Sequence, residues 1–503
     1  MIISSIKLFR DILARATVLF ASFLFSVCVH ASPWTATDDY RLRASLQQLN
    51  DAGVINTVTT SWPIHWTDIE RSLEKGELDQ IERLGSGSLS LALSYVRKQL
   101  KKNKSHKSDR PLTYSDYEVS LSNTTELFRA YGDSQMRDAQ VAITHEWARN
   151  SVSAGLTVLY ASDPYDQAHW RLDGSYLSAT VGNWNLAVGA TERWWGPGWQ
   201  SSLILSNNAR PIPAVSISRI QSIAPKSKWL SWIGPWHMSS FIGQLESDRS
   251  ISKALLFGMR LTFKPIPSLE LGFSRAAQWG GKGRSQSFGE LVNVFVGKDE
   301  NQVGGPGNQL GGFDARYSWM AASFSQSVYG QLIGEDEAGL LPSKYIYIVG
   351  SEINGISIEN YQLSIFLEYA DTLSGRIVRD ERPNTAYEHS VYTTGYRYHG
   401  RVLGSSFDND SRGLTFGGLL VNAKNNLWKF SISQLNLNED GLVRGNQVSK
   451  THHKMQHVTV SHQRLVRAIT VDLGIEWNST IPNTDLADDD RFGLYFNLKY
   501  EFK

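Results

Sequence analysis

From Leu112 to the end of the chain, apolar and polar side chains alternate with a period of two. The last segment shows this most clearly, because one face carries six apolar or aromatic residues: Phe492, Leu494, Phe496, Leu498, Tyr500 and Phe502. Between them lie Gly493, Tyr495, Asn497, Lys499 and Glu501. Successive side chains of a strand point to opposite faces, so this segment predicts a strand with one apolar and one polar face. That pattern is typical of a transmembrane barrel strand, with lipid outside and a polar lumen inside.

Counting such segments predicts eighteen strands. They cover residues 112–123, 138–147, 152–161, 174–182, 183–192, 213–222, 236–245, 253–264, 269–279, 312–320, 323–333, 343–352, 359–371, 413–422, 428–437, 455–463, 467–477 and 491–502. An even number suits a bacterial barrel with both termini in the periplasm. A soluble β-sandwich is the alternative, but it would have to hide many fully apolar faces in one core. We therefore expect residues 111–503 to form a transmembrane antiparallel β-barrel of about 18 strands, a mainly β fold.

The connections between these strands form a long and a short class that mostly alternate. The long ones are residues 124–136, 162–173, 193–212, 280–311, 372–412, 438–454 and 478–490. The short ones are residues 148–151, 264–268, 354–355, 425–426 and 463–466. Residues 223–235 fall on the short side but are longer than the rule allows. Since outer-membrane barrels have short periplasmic turns and long extracellular loops, the long class is predicted to face the cell exterior.

Residues 32–110 have a helical pattern instead. Leu42, Leu46 and Leu49 follow helical spacing, and Gly53 is a suitable C-cap. Residues 67–70 (TDIE) read as a capping box that opens a second helix, and residues 88–100 predict a third. These helices are too short for a large core of their own, so we expect a small periplasmic α-helical subdomain docked on the barrel. Residues 97–110 carry seven Lys or Arg against one Asp, which fits either a solvated linker or contact with an anionic membrane surface.

Residues 1–31 have the features of a cleaved signal peptide. Lys7, Arg10 and Arg15 precede an apolar stretch over residues 16–29, and a small residue, Ala31, ends the segment. The single cysteine of the chain, Cys28, lies within it. Together with the strand pattern, this predicts export to the bacterial outer membrane without disulfides.

Composition excludes several classes of function. The net charge of +1 provides no field for nucleic acid. The chain has no nucleophile elbow, P-loop or zinc motif. We therefore expect no catalytic residues, no metal, no cofactor and no enzyme activity.

Residues 193–212 are the most unusual loop. Arg193, Trp194, Trp195 and Trp199 surround a Gly-Pro-Gly turn, and an apolar run then leads to three polar candidates, Asn207, Asn208 and Arg210. One interpretation is a plug that folds into the lumen. The other is a binding face, where indoles stack on sugars and Arg210 pairs with carboxylates. The two interpretations are compatible if the plug shapes the outer surface.

The loop over residues 372–412 supplies further polysaccharide-binding or plug candidates, namely Tyr387, His389, Tyr396 and Arg401. Its histidines, His389 and His399, lack any metal-ligand spacing, so a polar network within the loop is the favoured interpretation. A third loop, predicted over residues 334–342, contains the acidic run Gly-Glu-Asp-Glu at 334–337. Adjacent carboxylates on a turn do not set the separation that glycosidases need.

Several of these motifs resemble one known family. Residues 193–199 (RWWGPGW), followed by residues 202–211 (SLILSNNARP), closely resemble the signature of the capsule-assembly Wzi family. Supporting matches in the barrel are residues 274–275, 278–281, 334–337, 387–389 and 395–398. In the helical subdomain, called the head below, residues 46–55 and 62–64 also match. The resemblance covers essentially the whole chain after residue 31. It implies an occluded outer-membrane barrel with a periplasmic helical bundle.

The resemblance also implies a function. The family attaches capsular or related exopolysaccharide to the cell surface and behaves as a lectin rather than an enzyme. The expected partners are this polysaccharide, outer-membrane lipids and, during insertion, the barrel-assembly machinery; the barrel itself is expected to be a monomer. Two alternatives stay open: a porin-like channel for oligosaccharides, and an outer-membrane hydrolase.

Overall fold

The computed structural model describes residues 32–75, 87–103, 112–133, 138–295, 307–338, 341–375, 381–424, 426–442, 445–486 and 490–502. The predicted signal peptide over residues 1–31 lies outside these ranges, as does the second half of the basic linker, residues 104–110.

Eighteen strands form one closed antiparallel barrel, as the alternation predicts. They are β1 (Leu112–Ser122), β2 (Asp138–Arg149), β3 (Val152–Ala161), β4 (Tyr176–Val181), β5 (Trp184–Gly189), β6 (Ala214–Arg219), β7 (Trp236–Gln244), β8 (Leu255–Ile266), β9 (Leu269–Trp279), β10 (Gly307–Ala321), β11 (Phe324–Ala338), β12 (Leu341–Ile358), β13 (Tyr361–Gly375), β14 (Arg412–Asn422), β15 (Leu427–Leu437), β16 (His453–Val466), β17 (Ile469–Asn478) and β18 (Phe492–Phe502). The barrel closes where β1 pairs with β18, from Ser115 opposite Phe502 to Ser122 opposite Tyr495. A two-residue strand, Trp170–Arg171, extends the pairing of β3.

The two faces of the strands differ as a barrel requires. Along β8, Leu256, Arg260 and Thr262 are completely buried and point into the lumen. On the next strands, the outward positions Phe273, Phe313 and others are about half exposed although they are apolar. An apolar outer surface and a polar interior are what a barrel surrounded by lipid needs. No helix among the described residues is long and apolar enough to cross a membrane.

Aromatic side chains mark the short-turn end of the outer surface. Trp184 and Trp236 contact each other edge to face, with ring centroids 6.4 Å apart. Farther round the barrel lie Trp319 and Trp428, 39% and 42% exposed. Tryptophan and tyrosine are enriched where the surface of a membrane protein meets the lipid headgroup layer.

Three predicted connections are wrong. Residues 463–466 belong to β16, and the chain turns at residues 467–468 instead. Residues 354–355 are not a turn, because β12 continues to Ile358 and turns at Glu359. The register instead shifts at Gly355, whose φ is +90°, and an added Cβ there would lie 2.0 Å from the side chain of Gln48. The strand bulges at a glycine because the helical head packs against it. Residues 334–342 are likewise mostly strand rather than loop, since β11 reaches Ala338 and β12 begins at Leu341.

Among the described residues, three helices precede the barrel, as predicted. They are α1 (Tyr40–Asp51), α2 (Trp66–Lys75) and α3 (Gly87–Asn103); a fourth, α4 (Phe288–Phe295), was not predicted and lies in a long loop. The capping box at residues 67–70 is wrong in detail. Helix α2 begins one residue before Thr67, and the Asp68 carboxylate accepts from the backbone N of Ser222 at 2.8 Å.

The helical head lies inside the barrel at the short-turn end. Asp51 at the end of α1 forms a buried ion pair with Arg316 on β10, at 2.6 Å. The Lys264 Nζ of β8 donates to Asn50 at 2.9 Å. The Glu270 carboxylate of β9 accepts from the backbone nitrogens of the 59–60 segment, at 2.8 to 3.0 Å. Polar wall residues thus hold the head in the lumen, which explains why short helices need no large core of their own.

Candidate functional site

The loop between β5 and β6, residues 190–213, folds into the barrel and blocks its lumen; it is called the plug below. Its two arms are joined by a hydrogen bond from the Trp195 N to the Leu205 O, at 2.9 Å. Gln331 of β11 bridges both arms, since its Nε2 donates to the Trp195 O at 2.9 Å and its Oε1 accepts from the Leu203 N at 2.8 Å. Leu203 is fully buried. One wall side chain therefore fixes the loop across the lumen.

The three tryptophans of this loop are lumenal. Trp194, Trp195 and Trp199 have at most 4% of their surface exposed. The Trp194 Nε1 donates to the Gly198 O at 3.0 Å, and Trp199 stacks on Phe366 with centroids 6.0 Å apart. Indoles in this position have their faces covered by protein, so they are not open to a sugar outside the cell.

Buried wall carboxylates hold the backbone at the Gly-Pro-Gly turn. Glu368 of β13 accepts from the Trp199 N and the Ser201 N, each at 2.7 Å, and from the Tyr329 hydroxyl at 2.9 Å. Glu352 of β12 accepts from the Trp199 Nε1. A buried carboxylate is tolerated only when several donors satisfy it. Here the donors are the loop itself, which makes the plug part of the wall's polar network.

The plug also contacts the head. Ser61–Trp62 pairs antiparallel with Trp194–Trp195, forming a small sheet in the lumen. Arg43 of α1 donates to the Pro197 O at 2.7 Å and the Gly198 O at 2.8 Å, and its guanidinium lies 4.1 Å from the ring centre of Trp199. Head and plug therefore form one body that crosses the barrel.

Arg193 stays within this body. Its guanidinium lies 4.7 Å from the ring centre of Phe241, and it donates to the Thr191 O at 3.0 Å. Burial lowers the pKa of Arg193 to about 10. This side chain is therefore a packing cation rather than an exposed ligand for carboxylates.

The loop between β13 and β14 covers the plug from outside. The hydroxyls of Tyr387 and Tyr396 donate to the Leu203 O at 2.8 Å and the Ile204 O at 2.9 Å. The Ser206 N donates to the Leu403 O at 2.8 Å. Both tyrosines are buried, so they join the two loops instead of facing solvent.

Arg401 and the two asparagines complete this junction. Arg401 donates to the Glu126 O at 2.7 Å and to the Asn208 Oδ1 at 3.2 Å, while the Asn208 Nδ2 donates to the Val402 O at 2.8 Å. Burial lowers the pKa of Arg401 to about 10. The Asn207 side-chain amide is buried and has no hydrogen-bond partner among the residues that the structure describes.

His389 has a local role. Its Nδ1 accepts from the backbone nitrogens of Val391 and Tyr392, each at 3.1 Å. The ring therefore caps the turn that follows it. In the described part of the chain, no group of three or more His, Cys, Asp or Glu is arranged to hold a metal ion.

Arg210 is the candidate nearest the outer rim. It forms ion pairs with Asp173, at 2.8 Å, and with Asp166, which also pairs with Arg171 at 2.8 Å. Burial opposes the charge of Arg210, but the two carboxylates outweigh it and raise its pKa. Its side chain is 11% exposed.

A small polar cleft opens beside this cluster. It has a volume of about 30 Å³ and is lined, among others, by Tyr165, Asp166, Arg210, His399 and Arg401. His399 lies 3.7 Å from the Asp166 carboxylate. The cleft brings an aromatic ring, guanidinium groups and a carboxylate together at the long-loop end.

Comparison with known proteins identifies the family of this chain. Residues 109–492 match the family model described as capsule assembly protein Wzi. The chain belongs to the Wzi capsule assembly family.

Two relatives show how far the similarity extends. Wzi of Escherichia coli, an outer membrane protein involved in group 1 capsule assembly and a carbohydrate-binding β-barrel, is 25% identical, with a TM-score of 0.80 over 94% of this chain and 100% of that one. An uncharacterized 55.8 kDa protein in the cps region of Klebsiella pneumoniae is 31% identical over 322 residues. That alignment covers 63% of this chain and 61% of the relative. This Wzi-family protein is accordingly an outer-membrane β-barrel.

Sequence reasoning missed several residues that build the Wzi-family plug. Glu352, Glu368 and Gln331 hold it from the wall, and Arg43 holds it from the head. Each is a polar residue on an inward position of a strand or a helix face, where periodicity predicts the direction of a side chain but not its partner. For Glu352, Glu368 and Arg43 the available signal was charge, since a buried Glu or Arg requires a partner. Gln331 offered no such signal.

A large cavity remains beside the plug in this Wzi-family barrel. It has a volume of about 640 Å³ and lies between the head and the wall formed by β1–β3 and β16–β18. Its lining runs from Lys102 and Glu501 at the short-turn end to Arg210 near the long loops. Gln140, Arg171 and Arg210 line both this cavity and the outer cleft. The Arg171–Asp166–Arg210 ion pairs therefore form part of the partition between them.

Proposed function

We propose that this Wzi-family protein is a non-enzymatic, lectin-like outer-membrane protein that anchors and organises capsular or exopolysaccharide at the cell surface. The observation that carries the proposal is the mouth of the barrel. Two interlocked loops fill it with a rigid body whose outer edge presents a polar cleft. The similarity to a carbohydrate-binding barrel of E. coli supports the same function.

The proposed contact with polymer lies at the rim rather than at the tryptophans. The cleft beside Tyr165, Arg210 and His399 supplies a ring for stacking on a sugar face and donors for hydroxyl or carboxylate oxygens. The buried indoles and Tyr387, Tyr396 and Arg401 support the rim from beneath. Positioning a binding site on a rigid base reduces the entropy lost when the ligand is held.

A glycan-binding assay with the purified barrel tests whether the rim cleft contacts the polymer. Tyr165→Ala removes the rim ring and is expected to weaken binding to the cell's own polysaccharide roughly tenfold. Asp248→Asn, an exposed change in the loop between β7 and β8, is the matched control and is expected to bind normally. Heat-dependent gel mobility confirms that each variant is folded. Unchanged binding in Tyr165→Ala and in Arg210→Ala would remove the cleft from the proposal.

Deletion of the protein in cells tests the anchoring function itself. The expected result is that polymer is made in normal amounts but is released into the medium. If cell-associated polymer stays unchanged in the deletion strain, the anchoring function is wrong.

A channel for oligosaccharides is the second candidate, because the 640 Å³ cavity gives it a partial path. The plug and the Asp166–Arg210 partition oppose it, since they separate this cavity from the outer cleft. Planar-bilayer recordings distinguish the two functions. Steady currents from the wild-type protein, reduced by added oligosaccharide, would favour transport.

A further inference from the structure

The connection between β6 and β7 does not fit the barrel's own rule. Other turns at this end are as short as Asn150–Ser151, whereas residues 220–235 form a structured excursion. It contains a 3-10 turn, Ser231–Ile233, and displays Trp229, Leu230 and Trp232, which are 88%, 49% and 62% exposed. Two such exposed indoles on one segment form an apolar surface that the barrel itself does not require.

The segment is held in a fixed position. At its start, Arg219 donates to the Gln221 O and the Ile223 O, each at 3.1 Å. At its end, the Lys264 N donates to the Pro235 O at 2.9 Å. Gly234 has a φ of +68°, and a Cβ there would lie 1.9 Å from the Lys264 O. The backbone thus packs directly on β8, so the exposure of the indoles does not come from a loose loop.

The segment is turned toward the outer wall and not toward the lumen. The Trp232 ring contacts Phe263 edge to face at 6.1 Å, and Phe263 stacks on Phe273 at 6.2 Å. Phe263 and Phe273 occupy outward positions of β8 and β9. Trp236, which follows the segment, carries the Arg219 guanidinium 3.6 Å from its ring centre. The exposed indoles are therefore continuous with the lipid-facing band of the barrel.

The segment also carries positive charge, which suits contact with an anionic membrane surface. Lys226 and Lys228 are exposed and immediately precede Trp229. Indoles beside lysines are the combination that binds the headgroup layer of a bilayer, because the rings enter the interface while the ammonium groups meet phosphates.

We propose that residues 224–233 are an interfacial foot that enters the phospholipid headgroup layer of the periplasmic leaflet and fixes the depth of the barrel. Trp229, Leu230 and Trp232 insert, and Lys226 and Lys228 bind lipid phosphates. This inference rests on the outer-membrane location and not on polysaccharide binding.

An environment-sensitive label tests the foot. Residues 32–503 contain no cysteine, so Trp229→Cys places a single NBD fluorophore on the foot and Ser94→Cys places one on the exposed face of α3. Each variant is assembled as one barrel per nanodisc of phosphatidylethanolamine and phosphatidylglycerol. Quenching by headgroup-nitroxide lipid is expected to be roughly threefold stronger at position 229 than at 94, with the reverse order for aqueous iodide.

A second variant tests the lysines. K226Q/K228Q in the Trp229→Cys background is expected to remove the gain in lipid quenching that phosphatidylglycerol gives over phosphatidylcholine alone. If the label at 229 is as open to iodide as the label at 94, the foot does not insert and the proposal is wrong. A label protected in detergent only when two barrels associate would instead assign the indoles to a protein interface and also overturn it.

Discussion

Single carboxylates decide how the outer loops are held. Asp410 is buried within the β13–β14 loop, where its Oδ2 accepts from the Asn384 N at 2.7 Å. Its Oδ1 has no hydrogen-bond partner among the described residues. Burial raises the pKa of Asp410 to about 7. The loop is therefore built around a carboxyl group that is more easily protonated than usual.

A pH dependence follows from Asp410. Because its folded-state pKa lies above the unfolded value of about 4, the stability it contributes is complete below pH 4 and is lost as pH rises through 7. Asp410→Asn supplies an amide oxygen that can accept from the Asn384 N in place of the carboxylate, and Asn suits the φ of +49° at this position. The variant is expected to gain up to about 4 kcal/mol relative to wild type at pH 8.5 and little at pH 4. Thermal unfolding in detergent at the two pH values measures this, and equal differences at both would contradict it.

The contact between the head and the plug depends on Arg43 of α1. Arg43→Ala removes two hydrogen bonds to the Gly-Pro-Gly turn and the cation–π contact with Trp199. We expect a loss of about 2–4 kcal/mol of local stability, because two buried carbonyls lose their donor. Hydrogen exchange of residues 194–205 should accelerate accordingly.

The matched control is Arg97→Ala, an exposed arginine on α3. It should leave exchange in the loop unchanged. Equal acceleration in both variants would show that the effect comes from the head as a whole and not from the Arg43 contact.

The elements themselves were largely predictable, and their partners were not. Alternation along residues 492–502 predicted β18 almost to the residue, because one face must meet lipid. The turn predicted at residues 354–355 was wrong because a glycine is typical of turns. The reason for glycine at position 355 is instead the close approach of Gln48, which is far away in sequence. The tryptophan loop shows the same limit. Its composition predicted packing, but the choice between plug and binding face depended on Glu368 and Arg43, which no local pattern connects to it.

The lumen of the barrel is blocked by side-chain ion pairs as well as by the backbone of the plug. Arg210→Ala breaks the ion pairs that separate the 640 Å³ cavity from the outer cleft. It leaves Asp166 and Asp173 without this counter-ion, so we expect about 3 kcal/mol of destabilisation and a small cation-selective conductance.

Planar-bilayer recordings measure that conductance. Arg210→Lys keeps the charge but loses the fork that contacts both carboxylates, and it should conduct less than Arg210→Ala. If Arg210→Ala conducts no more than the wild type, groups other than Arg210 block the passage between the cavity and the outer cleft.

The small sheet between the head and the plug has a mechanical consequence. A polymer held at the rim would pull along the barrel axis during shear or swelling of the surface layer. That tension would pass from the rim loops into Trp194–Trp195, then across the paired backbone to Ser61–Trp62, and from α1 into the buried ion pair of Asp51 with Arg316. The pull would thus be resisted by the paired backbone of head and plug and by this ion pair before it could draw the plug outward.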